Sequence, residues 1–592
     1  MMRGMGKTEK AKYARESLLR LWGYLSQEKR AISITISTVL TTTLLSLAMP
    51  YLQTIGFDRY LKNRDLKGLG FVCLVMLAIA IFSSLFSWLQ SYVTAGASQR
   101  VISKIRTDLF KKLQSLPLHF FDKNSQGDLM SRLTNDIENI NSVLSESVAS
   151  LVSGAITLVG VAIAMLILNW KLALVSMAVL VGTSVWLNRW VVKRTRDAFR
   201  SQQASLGALN GLIEETLSAQ RLVKACHREE SAIQKVEDAA TKLRNAATKA
   251  QTLTSVIGPM MNFMGNLSMA SIAGYGGFLA LHHEATVGTL SGFILYMWMF
   301  RRPLNEIATL YNSIQSAIAG AERVFQTIDE TPEVDTGALG ADKPMAGEVI
   351  FEGVDFSYLA GTPVLQGIDL IAKPGQVVAL IGPTGAGKTT IINLLTRFYE
   401  IDSGRILIDG IDLREISKDT LRTQQGVVLQ DAFLFSGTVR ENIRYGRLNA
   451  TDAEVEAAAQ LANADGFIAH LPNEYETVLT ERGGNLSQGQ RQLLTIARAV
   501  IADPRILILD EATSSIDTRT EKMIQEAMRR LMQGRTSFVI AHRLSTIRDA
   551  DQILVIDQGR ILERGTHESL IEQDGFYAQL YARQFDANAD TE

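Results

Sequence analysis

Two cysteines in 592 residues, Cys73 and Cys226, are too few for a disulfide framework. One lies in an apolar stretch and the other in a charged one, so both are expected to be unpaired packing residues. An excess of charge of either sign is also missing. The 60 Lys and Arg stand against 61 Asp and Glu, which gives no reason to expect a nucleic-acid partner. Residues 1–30 are basic, but no short apolar core with a small-residue cleavage site follows, and no cleaved signal peptide is expected. Tandem repeats and low-complexity tracts are absent as well.

What the chain has is apolar residue, 47% of the total and concentrated in the first half. Ala14 to Arg30 alternates leucines, Trp22 and Tyr24 with charges, a pattern for an amphipathic helix lying on a membrane surface. Six apolar segments of bilayer-spanning character follow: Ala31–Leu52, Gly68–Tyr92, Val148–Leu168, Leu172–Leu187, Val256–Leu281 and Val287–Leu310. Short turns join the third to the fourth and the fifth to the sixth, whereas the second-to-third and fourth-to-fifth connections are long. Ala97 to Leu116 contains neither Gly nor Pro, so the second helix is expected to run about 30 Å beyond the bilayer. Both long excursions then lie on one side, and their Lys and Arg content assigns that side to the cytoplasm. Arg301 and Arg302 do not by themselves specify an anionic substrate, because long basic side chains snorkel to the interface. Intramembrane polar groups such as Thr41 to Thr43, Asn262, Asn266 and Tyr296 are expected mainly to glue helices together.

The second half reads as a soluble α/β domain, entered through a Pro- and Gly-containing linker from Asp329 to Gly347. Within it, Gly382-Pro383-Thr384-Gly385-Ala386-Gly387-Lys388-Thr389-Thr390 follows the strand-like run Val377 to Ile381 and precedes a helix-like run. That context makes it a phosphate loop. Glycines let backbone N–H groups close around phosphate oxygens at a helix N-terminus, Lys388 supplies a cation, and the Thr389 hydroxyl a magnesium ligand. Ile506 to Asp510 is a buried-strand pattern ending in a carboxylate placed for magnesium, and Glu511 beside it is placed to polarise an attacking water. Leu486-Ser487-Gln488-Gly489-Gln490 opens another helix, with the Ser487 hydroxyl and the Gly489 N–H at its N-terminus.

Taken together and in order, these motifs resemble the ATP-binding cassette exporter family in its half-transporter form. The fold this implies is an all-α six-helix transmembrane domain followed by an α/β P-loop nucleotide-binding domain. Its parts would be an N-terminal tail and interfacial helix over residues 1–30, a membrane domain over 31–328, a linker over 329–347 and a cassette over 348–592. The resemblance makes Tyr358 the aromatic residue that stacks on adenine. It makes Gln430 the glutamine that touches magnesium and the nucleophilic water, and His542 the switch histidine on the γ-phosphate. Ser487, Gly489 and Gln490 become signature contacts to nucleotide, with Gln488 where glycine is usual, and Ser514 to Asp517 resembles the loop crossing between cassettes. Thr480 to Gly484 is similar to a segment specific to exporters. Phe121-Asp122 through Gly127, Ser131 to Leu133 and Asp136 resemble the first coupling region, and Glu214-Glu215 to Lys224 the second, with Gln220 where glycine is often found.

The resemblance further implies ATP and Mg²⁺ as cofactors, ATP hydrolysis coupled to transport, and an amphipathic drug or lipid as substrate. It implies a second half-transporter chain as partner, most simply another copy, with a heterodimer as the alternative. The expected location is a bacterial inner membrane with the cassette in the cytoplasm. The six apolar segments exclude a soluble ATPase of the same class, while an ATP-gated or regulatory membrane protein stays open as the alternative.

Overall fold

The computed structural model describes residues 14–339, 345–359, 361–510, 517–541 and 547–585. Two compact units divide the chain: the residues up to Leu116 with Asn124–Thr331, and Pro117–Lys123 with the residues from Pro332 onward.

The first unit is helical. The amphipathic α1 (Ala14–Leu25) leads into α2 (Lys29–Ile55) and α3 (Leu66–Gln114); α4 (Leu118–Lys123) belongs to the other unit. Then come α5 (Gln126–Ser131), α6 (Ile137–Ser142), α7 (Val148–Leu168), α8 (Trp170–Ser218), α9 (Gln220–Ala225), α10 (Glu229–Ser255), α11 (Ile257–Leu281) and α12 (Val287–Asp329). Each of the six expected segments lies on its own long helix. Among the described residues, three stretches are long and apolar enough to cross a membrane, within Ala14–Leu61, Leu66–Gln114 and Gln126–Leu168. On α3, Phe71, Leu74, Leu77, Ile81, Phe82, Leu85 and Trp88 are all exposed. A surface of that kind suits hydrocarbon and not water, and the helix satisfies its own backbone there. At 49 residues, α3 is about 73 Å long, so its uninterrupted extension past the apolar stretch is as expected.

Polar side chains fasten these helices to one another. Tyr296 Oη donates to the Leu47 carbonyl at 2.8 Å, Gln53 Nε2 to Ser291 Oγ at 2.9 Å, and Thr43 and Ser153 hydroxyls meet at 3.4 Å. A Cβ on Gly292 would come within 2.3 Å of Thr54 Oγ1, so glycine sets how closely α2 and α12 approach. Asn169 caps α8 and also donates to the Glu284 carbonyl at 2.9 Å, while Lys171 pairs with Glu284 at 2.7 Å, which holds the two short turns together. Near the far end of α12, the buried Asp136 receives both arms of Arg323, and Arg132 donates to Thr327 at 2.7 Å. At the same end Arg20 of α1 grips Asp329 with two hydrogen bonds and lies over the Phe325 ring, leaving Leu18, Leu19 and Trp22 exposed along α1.

The sixth segment lies on a helix that continues through Pro303 to Asp329. One expectation is corrected. Cys73 and Cys226 are free, as expected, but both are exposed instead of packed.

In the second unit, β3 (Val377–Ile381), β6 (Gln425–Val428), β9 (Ile506–Asp510), β10 (Thr536–Ile540) and β11 (Gln552–Asp557) form a parallel sheet, with β12 (Arg560–Gly565) antiparallel at one edge. Its order is β12-β11-β3-β10-β9-β6. A second, antiparallel sheet has the order β2-β1-β4-β5, from β1 (Val349–Phe356), β2 (Leu365–Ala372), β4 (Ser403–Ile408) and β5 (Ile411–Asp412). Both sheets bury their apolar faces on α13 (Lys388–Leu395), around Phe351, Leu380, Leu394, Ile508 and Phe538. The parallel strands are buried on both faces and therefore read as unbroken apolar runs.

The stretch expected to be a linker is not free. Glu333 accepts from Arg422 and Lys418, Asp335 caps the segment beginning at Lys418, and Thr336 accepts from the fully buried Arg397 at 3.0 Å. Arg397 also donates to the Leu413 and Ile416 carbonyls and to Glu400, so one guanidinium holds the strap and the turn after α13 together.

Candidate functional site

The register of the parallel sheet assembles the site. Leu380 of β3 and Asp510 of β9 both pair with Ile540 of β10, and Val428 of β6 pairs with Leu509. The chain segments leaving β3, β6, β9 and β10 therefore emerge at one carboxyl edge, where open α/β sheets bind ligands. Gly382, Gln430 and Asp510 are brought together there from distant stretches of sequence. Glu511 and His542 follow Asp510 and Ala541 in the chain but lie outside the described residues, as do Ser514 to Ile516.

The loop from Gly382 to Gly387 has the backbone that its glycines predict. Gly385 and Gly387 sit at φ +84° and +107°, in the region that L side chains avoid. A Cβ at Gly382 would come within 2.0 Å of the Ile556 carbonyl oxygen. Pro383, Thr384 and Gly385 form an exposed crown, whereas Ala386, Gly387 and Lys388 turn inward. Lys388 opens α13, whose first N–H groups have no acceptor within the helix and are free for an anion. With its side chain buried, the Lys388 amine donates to the Gly382 carbonyl at 2.7 Å and to the Pro383 carbonyl at 2.9 Å. Burial pushes its pKa below the ordinary lysine value, and the Asp510 carboxylate opposes that shift. The loop thus holds a desolvated cation bonded to two backbone carbonyls at a helix N-terminus, a donor set that fits phosphate. Thr389, exposed, and Asp510, half-buried, offer oxygen ligands of the kind magnesium takes. Thr390 is buried and accepts from the Tyr358 hydroxyl at 3.3 Å.

Tyr358 is partly exposed and its hydroxyl also accepts from Asn393 at 3.2 Å, so the ring is pinned over α13 beside the loop. It packs edge-on against Phe356 and Tyr399, which fixes its plane. Gln430 is exposed just past β6.

α14 (Lys418–Thr423) packs with the sheets, and the other motif lies on the helical arm, α15 (Val439–Arg444), α16 (Asp452–Leu461), α17 (Asp465–Ile468) and α18 (Gln488–Ala502). Ser487 Oγ accepts from the Gln490 N–H at 3.2 Å, and Gln490 Oε1 accepts from the Ser487 N–H at 2.9 Å. This is a reciprocal cap. Ser487 stays exposed and Gly489 is buried, while the Gln490 carbonyl serves the helix start.

Two family patterns match the chain, the ABC transporter transmembrane region over residues 32–304 and the ABC transporter cassette over residues 365–514. An uncharacterised ABC transporter ATP-binding protein of Bacillus subtilis, YfiC, is 45% identical over 98% of this chain and 96% of its own. The chain belongs to the ABC transporter family. This ABC transporter is also 44% identical to a fatty acid ABC transporter ATP-binding/permease protein of Mycobacterium bovis, over 85% of this chain and 80% of that one. The solved structure of a bacterial Atm1-family ABC exporter with ATP bound superposes with a TM-score of 0.76 at 32% identity, covering 94% of this chain and 98% of the other. This ABC transporter is therefore an integral membrane protein with a cassette that binds ATP, and it drives export with ATP. Its half-transporter form implies a dimer.

Sequence reasoning passed over three residues that the structure makes prominent. Tyr399, Arg397 and Arg323 carry no local signature, because each acts through a contact far away in the chain. A buried arginine such as Arg397 is legible only once the strap it holds is seen.

Proposed function

We propose that this chain, as a dimer of itself, hydrolyses ATP to export an amphipathic molecule or to flip it between the leaflets of a bacterial inner membrane, with the cassettes cytoplasmic. The observation that carries this reading is the buried Lys388, whose amine bonds two loop carbonyls at the mouth of a helix N-terminus. A triphosphate gives that cation anionic oxygens to bond. Lys388, the loop N–H groups from Gly382 to Lys388 and Thr390 hold the phosphates, and Tyr358 stacks on the adenine. Thr389, Gln430 and Asp510 hold Mg²⁺, which when bound neutralises charge on the phosphates. Glu511 polarises the attacking water and His542 contacts the γ-phosphate. Ser487, Gly489 and Gln490 of the partner chain complete each site, so the dimer closes only around ATP and reopens once the γ-phosphate is cleaved. We assign residues 1–30 to the tail and interfacial helix, 31–328 to the membrane domain, 329–347 to the linker and 348–592 to the cassette. A fatty acid transporter among the relatives supports an amphipathic cargo.

The test is purification of this chain alone, mass determination in detergent, and nucleotide counting with the Glu511→Gln variant. The expected result is a dimer that hydrolyses ATP faster when a transported amphiphile is added. Glu511→Gln should abolish turnover and trap two equivalent ATP molecules. A monomer inactive until a different half-transporter is supplied would overturn self-assembly, and a Glu511→Gln variant that hydrolyses at the native rate would overturn the role of the general base.

A further inference from the structure

The phosphate loop rests on a hairpin from the sheet edge beside β3. Only two residues, Gln558 and Gly559, join β11 to β12, between the paired Asp557 and Arg560. Their φ angles are +46° and +76°, both positive as a type I′ turn requires. At +46° Gln558 occupies a region that side chains rarely enter, and such strain persists only where the surroundings over-determine it.

Those surroundings are the phosphate loop on one side and β2 on the other. The Gly559 N–H donates to the Ala386 carbonyl at 3.1 Å, and the Gly559 carbonyl accepts from the Gln366 N–H at 2.9 Å. Arg560 Nη2 also donates to Gln366 Oε1 at 2.8 Å. The loop leans on this floor at both its ends. A Cβ on Gly382 would strike the Ile556 carbonyl oxygen, and one on Gly387 would come within 2.6 Å of Leu365 Cδ2. Gly559 has no room for a side chain either, because a Cβ there would strike the Val364 carbonyl oxygen.

A single peptide group carries the consequence. The Ala386 carbonyl and the Gly387 N–H belong to one planar trans unit, so they point in opposite directions. A donor that holds the carbonyl toward the hairpin therefore turns the Gly387 N–H away from it, and also polarises that N–H into a stronger donor. We infer that Gly559 is a positioning residue for nucleotide binding: through the Ala386 carbonyl it aims the Gly387 N–H at the β- and γ-phosphates. This rests on the phosphate-loop reading above and adds a support that lies outside the loop's own motif.

Gly559→Ala pushes the turn off Val364 and draws its N–H away from Ala386. Gly375→Ala is the control. It has the same φ of +76°, and among the described residues nothing lies within 4 Å of the added Cβ, so it carries the backbone strain without the crowding. Affinities are measured on the full-length purified protein in nanodiscs by displacement of a fluorescent adenine nucleotide. ATP and ADP should bind Gly559→Ala about tenfold more weakly than the native chain, the loss expected of one misdirected charge-assisted hydrogen bond. AMP, which lacks the β- and γ-phosphates, should bind both alike, and Gly375→Ala should bind all three nucleotides as the native chain does. A partly misfolded protein would instead bind fewer nucleotides per chain at unchanged affinity, and that result for Gly559→Ala would overturn the positioning role. Should Gly559→Ala not fold, the native chain decides: exchange of the Gly559 amide hydrogen should slow several-fold when ADP is bound, and an unchanged rate would overturn the role. Equal ATP affinity in the native chain and Gly559→Ala would refute the hairpin's part and keep the loop assignment. A native chain that binds ATP no tighter than AMP would overturn the loop assignment and the inference with it.

Discussion

The hydroxyl of Tyr399 donates to the carboxylate of Asp122, on the short helix α4 that folds with the cassette unit. Burial first, and then the Asp122 carboxylate, raise the hydroxyl's pKa above its ordinary value, so it remains a donor at physiological pH. The same ring meets Tyr358 edge-on with centroids 5.0 Å apart, and the Tyr358 hydroxyl reaches Thr390 beside the phosphate loop. An unbroken set of contacts therefore runs from α4 to the proposed adenine platform.

Tyr399→Phe keeps the ring against Tyr358 and removes only the hydroxyl. The lost hydrogen bond to a carboxylate is worth roughly 1.5–3 kcal/mol when buried and less here, where Asp122 is exposed. Stimulation of ATPase activity by a transported amphiphile should fall several-fold, while basal activity and ATP affinity stay within about twofold of native. Measuring both rates in proteoliposomes checks this, and an intact stimulation would show that the contact carries no signal.

Tyr358→Ala should weaken ATP affinity by roughly 1–3 kcal/mol, the range for base stacking on an aromatic ring. Because stacking stabilises ground and transition states alike, the rate at saturating ATP should hardly change. Equilibrium binding with a fluorescent nucleotide and a full ATPase saturation curve separate the two quantities. An unchanged dissociation constant would remove Tyr358 from the site.

Lys388 makes nucleotide binding pH-dependent on the alkaline side. Its pKa is lowered in the free protein by burial, and a bound phosphate favours the charged form and raises it again. In the window between those two pKa values, binding must take up a proton, so affinity should decline as pH rises through it. Calorimetry in buffers of different ionisation enthalpy should detect proton uptake there. Lys388→Met should abolish the effect together with most of the affinity.

Arg397→Met should loosen the strap. The substitution approximates the volume of the side-chain stem but leaves the Leu413 and Ile416 carbonyls and Thr336 without their donor in a buried setting. Removing one partner from a buried charged network costs roughly 3–5 kcal/mol. Thermal unfolding in detergent should show a lowered first transition, and limited proteolysis should cut between Asp329 and Gly347 faster than in the native chain. Unchanged cleavage there would mean that Glu333 and Asp335 hold the strap without Arg397.

The phosphate loop was legible without a structure because everything it needs is local: a strand, glycines at the positions of positive φ, a lysine and a helix start within a few residues. The membrane helices were legible for a similar reason, since a bilayer imposes length and apolarity on each segment independently of its neighbours. Where they ended was not. Continuation of α12 through Pro303 to Asp329 depends on Arg323, Thr327 and Asp329 being held by Asp136, Arg132 and Arg20, residues far off in the chain. Tyr399 and Asp122 stand 277 positions apart, and no pattern within either stretch reports the other. Arg301 shows the same division most plainly. The sequence determined that a cation lies in an apolar helix, while only the packing of α11 against α12 decided that it faces Gly265, Asn262 and Trp298, because the direction of a long side chain depends on the space its neighbours leave.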